Sequence, residues 1–302
     1  MRGLWCAGFQ ARYARDSLLL NDNLLTGPGR KNRKGLPLLV FVFGSAFVLA
    51  SGQRDSYIPR GLVSNQSGKV SVAANDPRPP DQAMMALREY YGWKLDYEDP
   101  VYSAEDVMDD TDPAWSQSHP GSKRATVPKG GAFSASYPGV TNPTVQMMTT
   151  QMTMVVVAIV QQYNAISRSS RFVTVSEGDG RIAVLPEAGS VLDTEVTLPK
   201  GSRSLVDEVH LIMQAISDNS GQIVSTGYLP SPSGWANLTF DDGGETSTAR
   251  ARLLATLAKA QYPLVWRMLY DFDHKKYFFN LFAATQTSQG RDGSILNRPL
   301  RF

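Results

Sequence analysis

The chain has 302 residues, 42% of them hydrophobic and 19% charged, which excludes a disordered polymer and leaves room for about two ordinary domains. Its formal charge of +2 hides an uneven split: residues 1–52 hold seven Lys/Arg and two acids, leaving 23 basic and 26 acidic residues, net −3, for the rest. That balance excludes the concentrated basic surface of a nucleic-acid binder, and a single cysteine, Cys6, excludes a disulfide framework.

Lys31, Arg33 and Lys34 precede the apolar run Leu36–Ala50. Fifteen apolar or small residues fall short of the ~20 that span a bilayer, and the basic–apolar–small order is that of a signal peptide. Residues 1–52 are therefore expected to be a leader cut after Ala50 or Gly52, with an uncleaved membrane anchor as the alternative. No cysteine follows the run, so lipid anchoring is not expected. The thirty residues before Lys31 exceed an ordinary signal and are expected to reflect a start placed too early. A lack of disulfides is compatible with export, because a core this large needs no staples.

Residues 53–80 are rich in Ser, Gly, Asn and Pro, and are expected to be a flexible linker. Asp81–Tyr91 has helical spacing at Ala83, Met84, Leu87 and Tyr91, with Gly92 as a stop. Trp93–Tyr97 alternates as a strand does, whereas residues 98–129 read as an acidic, Pro-interrupted insertion. A short strand is expected at Gly131–Tyr137. Asn142 and Pro143 then open a helix to about Tyr163, although Val155, Val156 and Val157 favour strand by propensity. Strands at Arg171–Ser176 and Arg181–Leu185 flank the turn Glu177-Gly178-Asp179-Gly180, a hairpin signal. Further strands are expected at Val191–Leu198, Gln222–Leu229 and Trp235–Phe240. Amphipathic helices are expected at Ser204–Ser217 and Thr248–Ala260. A last hairpin joins Leu264–Tyr270 to Tyr277–Phe282, and residues 286–302 read as a loose tail.

The order of elements recurs between the two halves, which predicts an α+β protein of two repeated two-layer modules, 81–188 and 189–285, each a small mixed sheet covered by helices. The second half carries the pattern best. Val191-Leu192-Asp193-Thr194-Glu195-Val196 leads into the helix Ser204–Ser217, and Gln222–Leu229 leaves it. Ala236–Phe240 leads into Ala249–Leu257, and Leu264-Val265-Trp266-Arg267 follows. This succession resembles the short N-terminal (STN-type) module of secretins and TonB receptors. The first half, with Tyr90-Tyr91-Gly92-Trp93 and Tyr97-Glu98-Asp99-Pro100, is similar to a group of uncharacterised exported acidobacterial proteins. The resemblance implies a periplasmic interaction module. A pore segment, a TonB box and an outer-membrane barrel are absent from the sequence, which speaks against a channel.

Three histidines, His119, His210 and His274, stand apart from any ligand at metal-site spacing. Gly130-Gly131 and Gly243-Gly244 lack the Lys-Ser/Thr of a phosphate loop and read as turns, and no G-x-S-x-G elbow occurs. Asp96, Glu98, Asp99, Glu105, Asp106, Asp109, Asp110 and Asp112 crowd eight carboxylates into seventeen residues. They could gather Ca²⁺, without the D-x-D-x-D-G loop, or supply the carboxylate pair of a glycosidase. A solvated excursion is the expectation instead, and the nearby Tyr90, Tyr91, Trp93, Tyr97 and Tyr102 divide between core and a sticky surface. No catalytic, cofactor-binding or metal residue is singled out. The sequence thus points to a non-catalytic, exported bacterial envelope protein, periplasmic or extracellular. It would bind an envelope or secretion-system protein or a ligand, and would meet the membrane only through an uncleaved signal. The alternatives are an envelope carbohydrate hydrolase using the carboxylates of 96–112, and a structural subunit of a secretion or pilus assembly.

Overall fold

A computed structural model of the chain describes residues 61–66, 69–110, 117, 120–121, 124–138, 145–167, 170–229, 239–260, 263–289 and 295–299. The expected leader, the Asn142-Pro143 cap, His119 and residues 235–238 lie outside these. The described residues belong to one compact unit, and the protein is α+β.

Local signals place most elements. Helix α1 (Pro79–Tyr91) starts on two prolines and stops at Gly92, whose φ of 75° closes it in the left-handed region. Strand β3 (Lys94–Glu98) follows. Helix α2 (Val145–Ile166) forms despite its Val-rich centre, because Val155, Val156, Ile159 and Val160 bury one helical face. Strands β7 (Phe172–Gly178) and β8 (Arg181–Pro186) join through Asp179 and Gly180 at φ 47° and 63°, a two-residue turn of left-handed residues. Helix α3 (Leu205–Ser220) is capped by the Ser204 hydroxyl, which accepts from Asp207 N at 3.2 Å. Helix α4 (Ala249–Ala258) is capped by Thr248 in the same way. Strands β14 (Leu264–Asp271) and β15 (Lys276–Ala283) make the last long hairpin.

Three expectations are corrected. Residues 61–76, read as part of the linker, form strands β1 (Gly61–Gln66) and β2 (Lys69–Asp76), which pair with β6 (Gly131–Pro138) in a three-stranded sheet. Val70, Val72 and Ala74 are buried and alternate with the more exposed Ser71, Ala73 and Asn75, but such small side chains leave the composition looking like a linker. Within the expected tail, 286–302, most of β16 (Thr285–Gln289) and all of β17 (Ile295–Pro299) form an antiparallel pair. Val191–Leu198 is a short 3₁₀ turn, Val191–Asp193, and a three-residue strand, β9 (Glu195–Thr197), because the Ser190 hydroxyl accepts from Leu192 N and starts the turn.

The centre is a six-stranded mixed sheet in the order β11-β15-β14-β3-β8-β7, with β11 at Ile223–Thr226, and β10 (Gly201–Ser204) pairs separately with β12 (Thr239–Asp242). β3 runs parallel to both β8 and β14. Strands from 81–188 and from 189–285 share this sheet, so a division at residue 188 runs through one hydrogen-bonded layer. Helices α3 and α4 cover one face, over Trp266, Met268, Phe279 and Leu281. On the other face α1 is buried from Pro79 to Arg88, Met85 excepted, packing on β2 as well as β3.

Candidate functional site

The acidic segment begins inside the core. Asp96, Glu98 and Asp99 are each fully buried, which corrects the reading of residues 98–129 as a solvated excursion. The reason is the brevity of the β3–β14 pairing, which covers only Arg267↔Tyr97 and Met268↔Glu98. Beyond both ends of that ladder, backbone groups of β14 would be left without partners, at a cost of ~1–3 kcal/mol each. Ionised side chains take their place. At one end Asp96 accepts from Trp266 N at 2.7 Å, and its partner Arg181 (2.6 Å) donates to Leu264 O. At the other end Asp99 accepts from Tyr270 N at 2.9 Å, and its partner Arg78 (2.6 Å) donates to Tyr270 O at 3.0 Å. A third pair, Asp81 with Arg267, bolts α1 to β14 through two hydrogen bonds.

Asp99 is saturated. Its Oδ1 accepts from the hydroxyls of Tyr97 and Tyr102, both at 2.9 Å, and its Oδ2 from Arg78 and Tyr270 N. Burial and the Asp99 charge push both phenols well above their ordinary value, so they stay protonated donors. Such a carboxylate holds the fold together and has no lone pair left for a substrate proton. Burial also pushes the Asp96 carboxyl up, against the pull of Arg181. Burial and then Arg267 bring the Arg88 guanidinium, which lies over the Phe282 ring, down to about 10.

Further along, the segment returns to the surface in part. Glu105 and Asp109 are exposed and Asp106 half-buried, while Tyr102, Val107, Asp110, Val127 and Pro128 are buried. Strands β4 (Val107–Asp109) and β5 (Thr126–Pro128) pair here, and the β14–β15 turn is tied on by Thr126, whose N–H and hydroxyl donate to Asp273. A cleft of about 260 Å³ lies over Arg78 between Tyr97, Tyr102, Asp106, Lys129 and Tyr163. That volume includes open solvent, and the space in which a water could be centred is about 10 Å³, the room of a single water. Among the described residues no three His, Cys, Asp or Glu are grouped as metal ligands. His210 Nδ1 stands 3.3 Å from Thr226 Oγ1 on α3's exposed side, and His274 Nδ1 lies 2.7 Å from Asp271 in the β14–β15 turn. Both glycine pairs are turns of close approach: a Cβ on Gly130 would stand 2.2 Å from Asp76 O, and one on Gly243 2.1 Å from Pro199 O. Of the aromatic group, Tyr90 is exposed and Tyr91 half-buried, with Tyr91 stacked on the buried Trp93 at 4.2 Å.

Edges of the two larger sheets are treated unequally. Asn164 of α2 grips the outer edge of β7, donating to Phe172 O at 2.7 Å and accepting from Phe172 N at 3.0 Å. Two residues earlier, on the opposite side of the same helix, Gln162 does likewise to Ser136 at the edge of β6. Helix α2 thus closes an edge of each sheet. On β11 the Ser217 hydroxyl of α3 accepts from Val224 N at 2.9 Å and stands 3.2 Å from Val224 O. The fourth edge, β1, has no strand beyond it among the described residues, and its sequence GLVSNQ carries no charge, Pro or other edge guard. Arg78, Gln162, Asn164 and Ser217 escaped the sequence reading. Arg78 reads as linker and the other three, at helical positions, as solvated; only the partner backbone reveals their task.

No family, curated protein or solved structure matches the chain. No helix among the described residues is long and apolar enough to cross a membrane.

Proposed function

We propose that this is a non-catalytic, exported protein of the bacterial envelope that binds a partner protein by strand addition at β1. The resemblance to STN-type interaction modules belongs to the same proposal. The observation that carries it is the contrast between edges: on three a side chain occupies backbone donors and acceptors, whereas β1 ends its sheet among the described residues with a sequence free of charge and Pro. An open, uncharged edge strand offers main-chain hydrogen bonds to an extended segment. The hydrolase alternative draws less support, since Asp96 and Asp99 have guanidinium partners and Glu98 is held by Ser190 and Val191.

A photo-crosslinker placed at Ser64 on β1, and in a second protein at Thr226 on the guarded β11, tests the edge in envelope preparations. Adducts from position 64 and none from 226 are expected. Equal labelling, or none from either, would overturn the edge reading. N-terminal sequencing of the exported protein tests the address, with a start near Ser51 or Gln53 expected and an intact segment 1–30 contradicting it.

A further inference from the structure

A second polar junction lies on the α3/α4 side of the sheet, where the chain from Ser190 to α4 meets the strands. Ala249 N donates to Thr194 O at 2.8 Å, and β9 pairs with β13 (Thr246–Thr248), so the 190–197 segment and the start of α4 form one lobe. Two carboxyls of the sheet hold it. Glu98 at the end of β3 accepts from the Ser190 hydroxyl and from Val191 N, at 2.8 Å for the latter. Glu177 at the end of β7 pairs with Arg250 of α4 at 3.3 Å, and Arg250 also reaches Asp193 of the turn at 2.8 Å.

Glu98 faces Asp193 from the turn, Arg250 from α4 and Tyr277 from β15. Glu177 faces Asp96 from β3, Arg181 from β8 and Arg250 from α4. Asp96 is paired with Arg181 and faces Arg88 as well, whereas Glu98 and Glu177 have Arg250 alone on the lobe side, and Arg250 is also bound to Asp193, whose side chain is 59% exposed. The Glu98 and Glu177 side chains are 0% and 1% exposed, and Glu177 Oε2 is buried with no hydrogen-bond partner among the described residues. A buried carboxyl with no cation of its own is relieved by a proton. Burial, with Asp96 adding for Glu177, accordingly brings both carboxyls up to about 7.

We propose that Glu98 and Glu177 form a proton-operated latch: holding protons, they keep the 190–197 and α4 lobe seated on the sheet, and on ionising they loosen it. Ionisation adds two charges to a junction whose lobe-side cation, Arg250, is already bound to Asp193. Opening the lobe admits water to both carboxylates, which is the cheapest way to solvate them.

The test is hydrogen exchange of the full chain at pH 5.5 and pH 8, corrected for the intrinsic rate, together with carboxyl ¹³C titration. Protection in 190–194 and 249–257 is expected to fall at least ~10-fold relative to α3 as pH rises, since a tenfold change is ~1.4 kcal/mol. Both side chains are expected to titrate between pH 6 and 8. The Glu98→Gln/Glu177→Gln protein, neutral at every pH, should keep its protection at pH 8. Titration of both carboxyls below pH 5, a loss of protection shared equally by α3, or a loss that persists in the double variant would each overturn the latch. The titration is read on the unaltered protein and decides the matter if the variant does not fold.

Discussion

Arg78 and Asp99, 21 residues apart in sequence, meet at 2.6 Å with side chains 5% and 0% exposed, and between them they bind both backbone groups of Tyr270. The pair therefore does the work of a missing ladder rung as well as neutralising itself. Removing one partner is worse than removing both, because the survivor is a buried, uncompensated charge. Arg78→Met should destabilise the protein by ~3–5 kcal/mol in urea unfolding, and Arg78→Met combined with Asp99→Asn by less than the sum of the single changes. Additive losses would mean that the two residues act separately.

Leu253 and Leu257 of α4 are 0% and 4% exposed in the core shared with α3. Truncation of either to Ala should cost ~2–5 kcal/mol, with Leu253 at the higher end because it is more completely enclosed. Thermal and urea melts check this, and a loss under ~0.5 kcal/mol would contradict the packing.

Glu98 gives stability a pH dependence whose sign follows from its raised value. Its carboxyl sits at about 7 in the folded chain against an ordinary 4.5. Below pH 4.5 folded and unfolded chains both hold the proton and the fold keeps its full stability. Between 4.5 and 7 the unfolded chain releases it first, so the fold weakens as pH rises, by up to ~3 kcal/mol. Unfolding free energies measured from pH 4 to 8 should show this decline, and Glu98→Gln should flatten it.

Asn164 and Ser217 guard sheet edges rather than the core. Asn164→Ala and Ser217→Ala should each cost ~1 kcal/mol of stability, and should raise self-association more than that loss explains, because freed edge backbone invites pairing. Light scattering against concentration, with an equally destabilised Leu257 variant as the reference, separates the two effects.

Replacing residues 103–122 by a Gly/Ser linker should lower the melting temperature. Val107 and Asp110 are buried, and β4 anchors β5, which holds Thr126 against Asp273. An unchanged melting temperature would return this segment to the status of a solvated excursion.

Elements whose causes are local were legible from the amino-acid order alone. The Asp179-Gly180 turn, the Gly92 stop and the apolar face of α3 each act within a few residues, so nearby chemistry is enough to place them. What the tertiary structure decided was the meaning of polar residues. Asp96, Glu98 and Asp99 are charged by sequence and core by position, since their partners Arg181, Ser190 and Arg78 and the backbone of β14 lie from 21 to 171 residues away. Gln162 and Asn164 look alike on paper, yet one closes β6 and the other β7, because a step of two residues turns a helix by about 200°. Strand order has the same origin: alternation names a strand and its buried face, while the neighbour it pairs with is chosen by side chains and backbone groups that only the folded chain brings together.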